Sequence, residues 1–282
     1  MHLQTTASRA AALLAKNPSL FCRLALSKLG TRRPMPPLPA RRQIGDVIFE
    51  CSLADYHGTA PMYFGSYAVL VVEAMKRFLR RGDIFLDVGA NIGYLSAIGA
   101  DLVGRRGQVH AFEPVPIHFE KLCRLVDLNP EYDITANPFA AGEESSACTI
   151  YVTQQAGQST LVPSYKSGSE IVDELRVPVV RLDAYIEKHK LGRIALIKID
   201  AEGFELPILK GLQGYLEATG ERPAIICEIA PRAYSLLGRK IDELLELVTA
   251  YGYTARDLVD CRMPVDLRKI DQVDDVLFVV GT

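Results

Sequence analysis

The six cysteines of this 282-residue chain, Cys22, Cys51, Cys123, Cys148, Cys227 and Cys261, nowhere form a Cys-x-x-Cys pair. That spacing excludes thiolate metal centres and dithiol redox motifs, and free thiols in a reducing compartment are expected. Cys123 and Cys227 fall in apolar segments and are expected in the core. No apolar run reaches the roughly 18 residues of a membrane-spanning helix, so stable membrane insertion is not expected. The first residues lack the continuous apolar core and small-residue cleavage site of a secretory signal. Internal repeats and low-complexity tracts are absent. So are a Gly-x-Gly-x-x-Gly turn and an Asn/Asp-Pro-Pro-Tyr/Phe motif.

Acidic residues are missing from one place only. Residues 1–45 hold eight of the 32 basic residues and none of the 34 acidic ones, which leaves the remainder at −10. An acidic body argues against a phosphate-rich polymer, and nucleic acid is not expected as a partner. Residues 7–29 place Arg9, Lys16, Arg23 and Lys28 among Ala and Leu and read as a basic amphipathic helix, broken at Asn17-Pro18-Ser19. They are expected to pack on the domain or on a second copy, giving a homodimer through N-terminal helices. An organelle transit peptide has the same composition, and weak membrane-surface contact is a third reading. A cytoplasmic location is the expectation, with organelle targeting by residues 1–30 as its alternative. Residues 31–42, rich in Pro and Arg, read as a linker. The predicted division is therefore a basic helical extension with linker over 1–45 and a catalytic domain over 46–282.

Strand-like and helix-like segments alternate through that domain. Strands are predicted near 46–53, 84–88, 108–112, 135–140, 149–153, 177–182, 194–199, 224–227, 253–258 and 276–280. Helices are predicted near 67–80, 94–102, 116–129, 183–189 and 241–251, with Pro207 in the first turn of another. Residues 154–169 are polar and glycine-bearing and read as a loop or hairpin insertion. Apolar runs such as 194–199 suit strands buried on both faces. The pattern predicts an α/β fold: a mainly parallel sheet, helices on both faces, and one antiparallel strand at the end.

Residues 83–114 carry the most information. A strand runs into the turn Gly89-Ala-Asn-Ile-Gly93, a helix follows, and a second strand ends in Glu113-Pro114. This is a strand–helix–strand unit for a nucleoside-bearing cofactor. Gly89 is expected to let backbone approach the ligand, and Gly93 to let helix and strand pack closely. Glu113, 24 residues after Gly89, suits both ribose hydroxyls. The Gly-x-x-x-Gly spacing offers no phosphate cradle, and Asp87 would repel a pyrophosphate. Asp87 instead suits the amino group of a methionine moiety. S-adenosylmethionine (SAM) is therefore expected rather than NAD. Ala90, Asn91, Pro114, Ala140 and Asp200 complete the expected cofactor-binding set.

Open α/β sheets bind ligands at the carboxyl ends of their strands. Asp87, Glu113, Asp200 and Glu228 fall at such ends, a negative rim suited to a sulfonium cation. Asp200 lies in Ile-Lys-Ile-Asp-Ala-Glu-Gly-Phe-Glu (197–205), with Glu202 and Glu205 as further acids; Lys198 reads as the partner of one of them or as a solvated lysine. An N-cap of the next helix is the alternative role for Asp200.

These strings resemble the FkbM-type methyltransferases: Asp-Val-Gly-Ala-Asn-Ile-Gly-Tyr (87–94), Phe-Glu-Pro (112–114), Gln-Ser-Thr-Leu (158–161), Arg-Leu-Asp-Ala-Tyr-Ile (181–186) and 197–205. Leu-Lys-Gly-Leu (209–212) and Ile-Cys-Glu-Ile (226–229) also fit. The resemblance runs from about Tyr67 to the C-terminus. It implies a class I SAM-methyltransferase, Rossmann-like fold with a seven-stranded sheet. It also implies O-methylation of a small hydroxylated acceptor such as a natural product, sugar or lipid-linked glycan. SAM-dependent methylation of a protein or nucleic acid, and nucleoside-cofactor binding without catalysis, are the alternatives.

An acceptor hydroxyl must lose its proton, and a positioned base contributes about 10²–10⁴-fold. Asp200 is the first candidate. Glu228 and His57 follow, His57 reading otherwise as a surface-loop histidine, with His118 beyond them, and His110 reads as a packed core residue. A metal is not the expected cofactor; Asp200 and Glu228 are the pair that would hold Mg²⁺. Tyr56, Tyr63, Phe64 and Tyr165 give the expected acceptor pocket an aromatic character.

Overall fold

The computed structural model describes residues 39–52, 67–153 and 171–281. His57, Tyr56, Tyr63, Phe64, Tyr165, Cys22, the Gln-Ser-Thr-Leu string and the basic helical segment lie outside the described residues.

In chain order the elements are β1 (Pro39–Ile44), β2 (Val47–Ser52), α1 (Val69–Phe78), β3 (Ile84–Val88), α2 (Tyr94–Val103), β4 (Gln108–Phe112), α3 (Pro116–Leu128), β5 (Asp133–Asn137), β6 (Ala140–Ala141), β7 (Ser146–Thr153), β8 (Ile171–Val180), α4 (Leu182–Lys188), β9 (Ile194–Ile199), α5 (Glu205–Lys210), α6 (Gln213–Thr219), β10 (Ala224–Ile229), α7 (Pro231–Leu236), α8 (Ile241–Ala250), β11 (Tyr253–Asp257) and β12 (Asp274–Val280).

Seven strands form one sheet in the order β11-β12-β10-β9-β3-β4-β5. β10, β9, β3, β4 and β5 run parallel, while β12 is antiparallel to both neighbours. This is the order of a class I SAM-methyltransferase sheet, with helices on both faces. Every residue of β3 and β9 is buried, as strands covered on both faces require, including the charged Asp87 and Lys198. On one face α1, α2 and the β1–β2 hairpin cover Phe85, Leu196, Ile226 and Leu277. On the other, α4, α5, α6 and α8 cover Leu86, Ile197, Cys227 and Phe278. The strand order reverses between the parallel neighbours β3 and β9, and the crevice at their carboxyl ends is the place where such sheets take ligands.

Three expectations change. Residues 39–42, read as linker, belong to β1, which pairs with β2 through Pro39↔Ser52 to Ile44↔Val47. That hairpin is fixed to the body: Phe49 meets Tyr94 edge to face at 5.6 Å, and Ile48 N–H donates to Asn129 Oδ1 at 2.7 Å. The third strand spans Asp133–Asn137, and Ala140 instead belongs to β6 of a separate sheet, order β6-β8-β7. Cys123 is only half-buried, whereas Cys227 is in the core; the five described cysteines are free. Among the described residues no helix is long and apolar enough to cross a membrane.

Candidate active site

A cleft of about 400 Å³ opens at the carboxyl ends of β3, β4, β9 and β10. Its walls include the turn after β3, Glu113 and Pro114 after β4, Phe139 and Ala140, and Tyr67 and Val71 at α1. Lys198, Asp200, Glu202, Glu228 and Asp275 also line it.

The turn is saturated with internal hydrogen bonds. Gly89 and Ala90 N–H donate to the Phe112 carbonyl at 3.0 and 2.9 Å. Asn91 N–H donates to Glu113 Oε2, Ile92 N–H to Asn91 Oδ1, both at 2.8 Å, and Gly93 N–H to the Ala90 carbonyl at 2.9 Å. A pyrophosphate needs such N–H groups free, and none of the five is. Glu113 does fit a ribose. Oε2 accepts from Asn91 and Oε1 from Val115 N–H at 2.9 Å, yet a carboxylate has about four acceptor sites, so two remain for a diol. His118 lines the cleft beside it, its Nδ1 3.8 Å from Oε1.

Both glycines serve packing partners that the sequence did not name. At Gly89 (φ +79°) a Cβ would stand 1.8 Å from the Asp200 carbonyl oxygen, so the glycine admits the tip of β9. At Gly93 (φ +84°) a Cβ would press on Leu122 and Leu125 of α3 at 2.9 and 3.0 Å. The close contact is helix to helix, not helix to strand, and Gly93 does not line the cleft. Asn91 and Glu202 face the cleft in left-handed backbone, φ +51° and +50°. Asparagine adopts this readily and glutamate does not, so Glu202 is held there by its surroundings.

Asp87 lies apart from the residues that line the cleft. It is fully buried beneath the floor and does not line the cleft. Its Oδ2 accepts from Ser96 Oγ at 2.5 Å; Oδ1 has no hydrogen-bond partner and lies 3.8 Å from Lys198 Nζ. Burial raises its pKa, and Lys198 opposes that rise. Lys198 is buried as well, donating to Asp200 Oδ2 at 3.0 Å and to the Gly89 carbonyl at 3.2 Å. Burial alone would discharge the amine, but Asp200 and Asp87 more than offset it and hold the pKa above the lysine range. Asp200 is therefore bound to a cation, and it caps no helix: the residue before α5 is Phe204, without a side-chain cap.

Glu228 differs. It faces the cleft, and its Oε2 is buried without a hydrogen-bond partner. Burial, then Asp200, Glu202 and Asp275, push its pKa well above the carboxylate range. Asp275 lies across the strand pair from Glu228, and burial and Asp200 push it up to about 7. Asp275 is not among the residues expected at the site; its signal in the sequence is Asp274-Asp275 at the head of the closing antiparallel strand. Glu205 is buried outside the cleft, accepts from Gly203 N–H at 2.7 Å, and is raised to about 8 by burial. His110 is a core residue as expected, bonded to Tyr185 at 2.8 Å and lowered to about 4 by burial. Among the described residues no group of three or more His, Cys, Asp or Glu is arranged to hold a metal.

Residues 87–255 match the model of the methyltransferase FkbM domain. Over 162 residues the chain is 31% identical to methyltransferase sdnD of Sordaria araneosa, covering 48% of this chain and 62% of that one. It is 26% identical over 201 residues to 31-O-demethyl-FK506 methyltransferase FkbM of Streptomyces tacrolimicus, covering 62% and 74%. Hexuronic acid methyltransferase AglP of Haloferax volcanii is 26% identical over 148 residues, covering 52% and 57%. The match thus spans less than two thirds of the first and last of these relatives. With the family model spanning more than half of its length, the chain belongs to the methyltransferase FkbM domain family.

Proposed function

We propose that the protein is a SAM-dependent O-methyltransferase acting on a hydroxyl of a small molecule. The observation that carries this reading is the turn after β3, which has no N–H left for a phosphate, while Glu113, which lines the cleft, accepts two hydrogen bonds of the about four a carboxylate can take. SAM, when bound, supplies a methyl group already activated on a sulfonium. Glu113 would hold the ribose, and the backbone of Gly89, Ala90 and Asn91 with Pro114 and Ala140 would enclose the nucleoside. The acidic lining of the cleft complements a cationic donor.

The chain then has two tasks: to align the acceptor oxygen and to keep water out. Alignment accounts for several kcal/mol of barrier, on the order of 7–11 in the best intramolecular cases. Tyr67, Tyr94 and Phe139 line the wall and suit a ring-bearing acceptor. A natural product or sugar acceptor agrees with the names of two relatives, one acting on demethyl-FK506 and one on hexuronic acid.

Calorimetric titration with SAM, S-adenosylhomocysteine and NAD tests the reading, followed by a panel of hydroxylated natural products and glycosides. Micromolar binding of the first two ligands with none of NAD is expected, then methyl transfer to oxygen. Binding of NAD, or transfer to nitrogen or carbon only, would overturn it.

A further inference from the structure

Strand pairing sets three carboxylates side by side in the cleft wall. Cys227 of β10 pairs with Ile199 of β9, so Glu228 and Asp200 are the next residues on adjacent strands. On its other side Glu228 is the antiparallel partner of Asp275 on β12. All three line the cleft.

They are not equivalent. Asp200 accepts a hydrogen bond from Lys198, whose remaining bond goes to the Gly89 carbonyl. Glu228 accepts no such bond, and its buried Oε2 lies unpartnered in the cleft wall. Cβ atoms of directly opposed antiparallel residues are about 5 Å apart, and like charges there repel. Two adjacent carboxylates relieve this by keeping one proton between them.

We infer that Glu228 and Asp275 share one proton and act as the proton-accepting pair of the cleft, while Asp200 holds Lys198 in place. This rests on the methyl-transfer reading. As the acceptor oxygen bonds to the methyl carbon, its O–H bond breaks and the proton passes to the pair. The C–S bond breaks in the same step and its electron pair stays on sulfur. The pair then returns the proton to water.

The surroundings favour such a base. The charges of Asp200, Glu202, Asp275 and Glu205 act on Glu228, and those of Asp200, Lys198 and Asp274 act on Asp275, which is also paired with Glu228 across the strands. Lys198 is the one cation among these groups, and it is committed to Asp200. Burial and the acids together raise both carboxyls, Asp275 to about 7, where a general base is most effective near neutral pH.

Two measurements on the full chain test the pair. The first follows carboxyl ¹³C resonances between about pH 5 and 9 in the wild type, Glu228→Gln and Asp275→Asn, since coupled groups titrate as a pair. The wild type is expected to show a two-step coupled titration with one step near 7. In each variant the remaining carboxyl should titrate in a single step at lower pH. Independent titrations, each indifferent to loss of the other group, would overturn the sharing. The second uses the acceptor that the panel identifies. Both variants should lose at least about 100-fold in kcat and the rising limb of kcat/KM near pH 7, with SAM affinity within about twofold. Retention of that limb in Asp275→Asn, or an equal loss of SAM affinity, would overturn the role. Failure of the wild type to bind SAM strikes the methyl-transfer reading instead, and the ¹³C titration still decides the sharing.

Discussion

Gly89 and Asp200 meet backbone to backbone: a Cβ on Gly89 would lie 1.8 Å from the Asp200 carbonyl oxygen. The contact joins the tips of β3 and β9, which Asp200 N–H also ties to the Val88 carbonyl at 3.0 Å. Gly89→Ala must both separate these tips and place alanine at φ +79°. A loss of about 2–4 kcal/mol in unfolding free energy is expected, read by denaturant titration, together with weaker SAM binding. An unchanged midpoint would show that the tips move apart freely.

Glu113→Gln keeps the shape of the side chain and removes its charge and one acceptor. A charge-assisted hydrogen bond contributes about 1.5–3 kcal/mol, so SAM affinity should fall at least about tenfold by calorimetry. Either Asn91 or Val115 N–H also loses its acceptor, so a small drop in thermal midpoint should accompany it. Unchanged affinity would remove Glu113 from the ribose site.

Much of this was legible beforehand. β3, β4 and β9 match their predicted bounds because each is a short apolar run closed by a glycine or an acid. β1 was hidden, since Pro39, Arg41 and Arg42 resemble a linker and the strand forms by pairing with β2. α7 spans six residues, too short for a helical period to show. In the site, Glu113, Asp200 and Glu228 were legible because they stand at carboxyl ends of strands. Asp275 was not, because β12 runs the other way and brings its first residues to the cleft. That Asp87 lies beneath the cleft lining was not legible, because every residue of β3 is buried and alternation gives no clue to which side chain reaches the cleft.

Lys198→Met leaves Asp87 and Asp200 without the cation between them. Breaking a buried pair in this way destabilises by about 3–5 kcal/mol. Asp87 already has a raised pKa, so protonation relieves it at low pH. The loss should therefore be larger at pH 8 than at pH 5, and Lys198→Met/Asp87→Asn should recover part of it at pH 8. Equal losses at both pH values, with no recovery, would argue that Lys198 acts by packing alone.

His110 provides a second pH dependence. Burial lowers its pKa from 6.5 to about 4, so the folded state holds it neutral while the unfolded chain takes up a proton. Its stabilising contribution is present above about pH 6.5 and is lost as pH falls towards 4, up to about 3 kcal/mol in all. His110→Phe should flatten that part of the stability profile. A variant that keeps the wild-type slope between pH 6.5 and 4 would assign the slope to other groups.

Asp275 has the opposite sign. Its folded pKa is raised from 3.8 to about 7, so the folded state binds a proton that the unfolded chain releases. The stability this gives is full below about pH 3.8 and is lost as pH rises through 7. Asp275→Asn should therefore melt several degrees above the wild type at pH 8 and close to it at pH 4, in differential scanning calorimetry. Methyl transfer should fall in the same variant. A residue kept only for folding would lose stability when replaced; one held at a cost to folding for its proton should gain stability and lose turnover, a trade common at active sites. A lower melting temperature at pH 8 would mean that the Asp275 carboxylate is stabilised by contacts that outweigh its burial, and the proton would then belong to Glu228 alone.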